Sequence, residues 1–145
     1  MILPSHLIAH AALLTRLAVP YPFGVGETLR YDAKLGYFPV GTASVSVTRV
    51  VKERGVEAFE FTASGEGGPP GWRMSADLTS RVARSAFNSL HFRRRVVQAG
   101  RVDEHGYVIV PDSARYREEG VPGDWKAPSE PLDELAFLYF LRAAD

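Results

Sequence analysis

A mainly β, β-rich α+β fold is predicted: a curved antiparallel sheet or open half-barrel with a covering C-terminal helix. Three observations carry this. Apolar and polar residues alternate in short runs, glycine- and proline-rich turns separate those runs, and an apolar stretch at helical spacing closes the chain. With 145 residues and no internal repeat, the sequence fits one domain, since domains commonly hold roughly 100–150 residues around a single core. It divides into an N-terminal segment, 1–20, and a single β-rich domain, 21–145.

From Glu27 the period is two. Leu29, Tyr31, Ala33 and Leu35 share one face and Thr28, Arg30, Asp32 and Lys34 the other, the pattern of a half-buried strand. Gly36, Pro39 and Gly41 punctuate the chain, and a second strand alternates Ala43, Val45 and Val47 with Thr42, Ser44, Ser46 and Thr48. Lys52-Glu53-Arg54-Gly55 supplies a charged turn whose glycine takes positive φ without strain. The following run, Glu57, Phe59, Phe61 and Ala63 interleaved with Val56, Ala58, Glu60 and Thr62, is then its hairpin partner.

Four glycines and two prolines between Gly65 and Gly71 argue against ladder pairing there and predict the most mobile internal loop. Met74 to Val82 fits a strand or a helix. Leu90 to Val97 reads as a strand and Tyr107 to Val110 as a shorter one, with Asn88 and Ser89 turning the chain before the first of these. After a loop from Gly120 to Pro131, Leu132, Leu135, Ala136 and Tyr139 repeat at helical spacing, while Phe137, Leu138, Phe140 and Leu141 fill the other side. A helix apolar nearly all round should be buried.

Seventeen basic and 17 acidic side chains cancel, so no net field recruits nucleic acid. Cysteine is absent, which removes disulfides and thiolate chemistry. No apolar stretch reaches the roughly 18–20 residues of a spanning helix, so the domain is read as not membrane-spanning. In 1–20, an apolar body precedes small residues as in an export signal, but Arg16 follows that body and no basic region precedes it. A remnant signal, a misplaced start and an ordered N-terminal helix all stay open.

The stretch from Pro22 to Val47, PFGVGETLRYDAKLGYFPVGTASVSV, resembles the opening of the bacterial domain-of-unknown-function 3108 family. The likeness lies in Gly24-x-Gly26-Glu27, Leu29-x-Tyr31, the Gly36-Tyr37 turn and the Gly41-x-Ala43 step, then at Asp77, at Leu90-His91-Phe92, and at Leu138-Tyr139-Phe140-Leu141-Arg142. The chain departs from the family's pattern between Asp77 and Phe92, where Thr79-Ser80 and Arg84 replace a Glu-Ser pair and a second aspartate. The family also continues with further strands after this helix, whereas the chain stops at Asp145, which implies a fragment or a shortened homologue. The resemblance implies an exported, periplasmic or envelope protein built on a curved antiparallel sheet. It implies no chemistry and carries over no catalytic residue.

Seven arginines fall between Trp72 and Arg101 against Asp77 alone, while the stretch after Arg101 carries ten acids and four bases. Such a cluster suits an anion or a lipid headgroup, because the guanidinium fork matches phosphate. Cross-strand pairing with Asp103, Glu104, Glu118 and Glu119 suits it better and is the favoured reading. His6 and His10 have the i, i+4 spacing of metal ligands but lack a third partner, so no metal and no cofactor is assigned. A nucleophile elbow and a Ser-x-x-Lys pair are both missing, and no catalytic residue is assigned.

An apolar sheet face must be covered by a helix or a ligand. Trp72 sits beside a loop, where an aromatic lines a ligand mouth as easily as it caps a core, and the residues selected as candidate ligand contacts are Phe59, Phe61, Trp72, Arg93, Arg95 and Tyr139. The expected function is an envelope binding or carrier module for an apolar or lipid-like small molecule. A structural or assembly factor that binds an envelope protein, or a second copy, through a sheet edge comes next, and a hydrolase last.

Overall fold

The computed structural model describes residues 21–144. The segment 1–20, with its three readings and the His6/His10 pair, lies outside the described residues. Eight strands form one antiparallel sheet whose spatial order repeats the chain order: β1 (Thr28–Leu35), β2 (Phe38–Glu53), β3 (Val56–Gly67), β4 (Met74–Ala83), β5 (Ser89–Gln98), β6 (Arg101–Val110), β7 (Arg115–Glu118) and β8 (Trp125–Lys126). The sheet is not closed, and α1 (Glu134–Ala143), the single α-helix among the described residues, packs on one of its faces, here termed the inner face.

Turn chemistry sets the register. Arg54 and Gly55, at φ 49° and 82°, make the two-residue β2–β3 turn, and Ala99 and Gly100, at 50° and 75°, repeat it between β5 and β6. Positive φ at both central residues gives a turn whose twist matches that of the flanking strands. At the β1–β2 turn the positive φ falls on Gly36 alone, ahead of Tyr37.

The inner face holds the core: Phe23, Val47, Phe59, Phe61, Val82, Phe87, Phe92 and Ile109 from the sheet side and Leu135, Ala136 and Tyr139 from α1. Asp133 anchors the helix. Its Oδ1 accepts from the amides of Leu135 (3.0 Å) and Ala136 (2.9 Å), capping the first turn. Its Oδ2 accepts from the hydroxyls of Ser80 and Ser89, each at 2.6 Å and each on a buried residue of the sheet. On the outer face, Glu60 lies buried between Arg49 (2.8 Å) and Arg81 (3.1 Å), and Arg81 also reaches Glu53 (2.6 Å).

Several expectations are corrected. β1 is exposed along nearly its whole length, because it is an edge strand whose inner side α1 does not reach. Gly65–Gly67 belongs to β3, with Gly65 opposite Ala43 and Gly67 opposite Gly41, so the loop is only the turn that follows. The glycines permit the pairing: a Cβ on Gly41 would lie 2.7 Å from the Glu66 carbonyl oxygen, and one on Gly67 2.8 Å from that of Val40. Met74–Ala83 is a strand, Ser89 opens β5 rather than turning the chain, and β6 starts at Arg101, six residues before Tyr107. Finally, α1 is buried only through Leu135, Ala136 and Tyr139, while Phe137, Leu138, Phe140 and Leu141 stay about half exposed.

Candidate functional site: a groove on the inner face

Strand register resolves the inner face into rows about 7 Å apart, two residues of strand rise each. Ala33, Gly41, Gly67, Met74 and Gln98 form the outermost row, and Tyr31, Ala43, Gly65, Ala76 and Val96 the next. Leu29, Val45, Ala63, Leu78 and Arg94 follow, and then Val47, Phe61, Ser80 and Phe92. On β2 and β3 the side chains grow along this series, from Gly41 to Val47 and from Gly67 to Phe61. The Phe61 row lies under α1, where Tyr139 stacks on Phe61 with ring centroids 3.9 Å apart and planes within 9°.

The two outer rows have no cover among the described residues. They form the floor of an open groove of about 500 Å³, lined mostly by apolar atoms, with Tyr31, Trp72 and Met74 at its sides. Because its floor is glycine and alanine, sheet backbone lies close to the surface, and a flat or extended apolar molecule can approach it closely. A larger hollow of about 630 Å³ is lined chiefly by outer-face polar residues, among them Arg30, Asp32, Thr42, Ser44, Ser64 and Asp77. Ser44 and Ser64 there already share a hydrogen bond of 3.0 Å, and the hollow is ordinary solvated surface.

The six residues selected from the sequence do not form one site, although Phe61 stacks with both Phe59 and Tyr139. Phe59, Phe61 and Tyr139 are core residues beside or beneath the helix. Arg93 and Arg95 point to the outer face, where both approach Glu104, at 2.6 and 3.9 Å. Trp72 alone lines the groove.

The arginine on the groove side is Arg94, in register between Leu78 and His105 and without a carboxylate partner among the described residues. Alternation from Phe92, which the core claims, was the signal that separates Arg94 from its neighbours. Gly41, Gly65 and Gly67 were missed because they read as breakers.

Beside Arg94, His105 donates from Nδ1 to the Glu118 carboxylate and lies 2.8 Å from the Asp103 carboxylate through Nε2. The Glu118 hydrogen bond, and then that of Asp103, raise its pKa above the ordinary imidazole value. Burial pushes the Tyr139 phenol up to about 12, with the nearby Glu27 charge adding to the shift. Its hydroxyl has no hydrogen-bond partner among the described residues. Among those residues no group of three or more acid or histidine side chains is placed to hold a metal ion, and no helix is long and apolar enough to cross a membrane. No family model, curated protein or solved structure matches the chain.

Proposed function

We propose that the protein is a non-enzymatic binding or carrier module of the bacterial envelope that holds an apolar or amphipathic small molecule in the inner-face groove. The observation that carries this reading is the uncovered half of an otherwise helix-covered apolar face, floored by Gly41, Ala43, Gly65, Gly67 and Ala76. Arg94, one row inward, supplies a cation for an acidic end of such a molecule. Kinship with the domain-of-unknown-function 3108 family, and with it export to the periplasm, forms part of the same proposal. In its support, the two ends of the resemblance touch: Glu27 of the opening motif is bound by Arg142 of the closing one.

A fluorescent apolar probe such as N-phenylnaphthylamine tests the groove. Ala76→Trp, which fills the floor, should abolish probe binding, and Leu138→Ser on the outward side of α1 should leave it intact. Probe binding that survives Ala76→Trp would remove the groove from consideration.

A second reading, assembly through a sheet edge, is favoured by one feature. Among the described residues no strand lies beside the outer edge of β1 over Thr28–Leu35. A Pro in place of Arg30 or Asp32, whichever donates outward, should then abolish pairing with a partner or a second copy.

A further inference from the structure

The two ends of the sheet differ in chemistry. At one end the turns are Lys52-Glu53-Arg54-Gly55, the stretch from Arg84 to Asn88, and Pro111-Asp112-Ser113, the charged and polar turns expected in water. At the other end the β1–β2 turn presents Leu35, Tyr37 and Phe38, at 74, 99 and 76% exposure, and the β3–β4 turn adds Trp72 at 59%. The meander puts these turns on one end of the sheet, and both border the groove, through Val40 on one side and Trp72 on the other. Lys34 precedes the first tip and Arg101 follows the adjacent Ala99-Gly100 turn.

We propose that this end docks onto a lipid bilayer, inserting Leu35, Tyr37, Phe38 and Trp72 at the headgroup level. Hairpin tips in water favour small and polar residues, so four large apolar ones at one end need an apolar contact. Tyrosine and tryptophan are the side chains that settle at a membrane interface, one side apolar and the other wet, while Lys34 and Arg101 lie where cations meet headgroups. Only a few basic groups stand at this end, so insertion of the tips rather than surface charge dominates. The mouth of the groove then faces the membrane.

Flotation of the full chain with vesicles, of phosphatidylcholine alone and of phosphatidylethanolamine mixed with phosphatidylglycerol, tests this without any groove ligand. The protein should float with both, and its tryptophan emission should shift to the blue. Tyr37→Ser combined with Phe38→Ser should weaken partitioning about tenfold or more, because two large apolar side chains leave the bilayer. Both side chains are exposed, so the melting curve should not move. Lys52→Ser at the charged end should partition like the wild type. The proposal is overturned if the wild type does not float, or if the tip variant floats equally well. It is also overturned if the wild type self-associates without lipid and the tip variant is monomeric, since the tips then serve a second copy.

Discussion

Glu27 and Arg142 stand 115 residues apart in sequence, yet the guanidinium reaches both carboxylate oxygens, the longer contact being 3.2 Å. The same guanidinium lies 5.8 Å from the centre of the Phe23 ring and 5.6 Å from that of Tyr139. One side chain thereby ties the last turn of α1 to the start of the sheet.

Arg142 holds the Glu27 carboxyl below its ordinary value of 4.5, through its hydrogen bond first and its charge after burial has worked the other way. A carboxylate with a depressed folded pKa stabilises above the unfolded value, and that contribution is lost as pH falls through the folded one. Glu27→Gln should therefore cost about 1 kcal/mol at neutral pH, small because both groups keep water contact, and should flatten the acid limb of stability below about pH 4.5. Melting curves across that range check both.

Asp133 should show the opposite sign. Burial raises its pKa above 3.8 despite hydrogen bonds from Ser80, Ser89 and the amides of Ala136 and Leu135. Its titration therefore favours the folded state in acid and works against it as pH rises through the folded value. Asp133→Ala removes a cap and strands two buried hydroxyls, so a loss of about 3 kcal/mol is expected at neutral pH. Asp133→Asn should make the acid loss steeper than in the wild type, as urea denaturation at several pH values will show.

Tyr139 separates packing from polarity. Tyr139→Ala should cost about 3–5 kcal/mol by leaving a void against Phe61 and Phe23. Tyr139→Phe should be neutral or stabilising, since it deletes a buried hydroxyl with no partner among the described residues. With a folded pKa of about 12 against an ordinary 10.0, the phenol weakens the fold as pH rises from the lower value toward the upper. Tyr139→Phe should remove that alkaline loss, followed by phenolate absorbance and melting together.

Gly41→Val should destabilise by about 1–3 kcal/mol, because its Cβ would collide with backbone and β2 would have to shift. Gly24→Ala, where a Cβ meets nothing within 4 Å, should leave the midpoint unchanged. A large loss at Gly24 and none at Gly41 would contradict the proximity of β2 and β3.

Much of the architecture was legible because alternation and helical spacing report burial directly. Val47, Phe59 and Phe61 lie on the predicted apolar face, and Leu135, Ala136 and Tyr139 supply the helix that meets it. The start of β6 was not legible, since Arg101, Asp103, Glu104 and His105 are polar on both faces and only pairing with β5 makes them a strand. The exposure of β1 was equally hidden, because alternation cannot tell an edge strand from an inner one. At the groove, Trp72 was found by its place beside a loop. The glycine floor was lost because the property that suits it to close approach is the same property that marks a turn.

The position of α1 in the chain order has a consequence for synthesis. Every strand of the meander can pair with its predecessor as it leaves the ribosome, at about 5–20 residues per second, so the sheet grows hairpin by hairpin. The helix that covers Phe61, Val82 and Phe92 follows all eight strands. Until it emerges, the nascent sheet carries a bare aromatic face, the kind of transiently exposed apolar surface that favours aggregation.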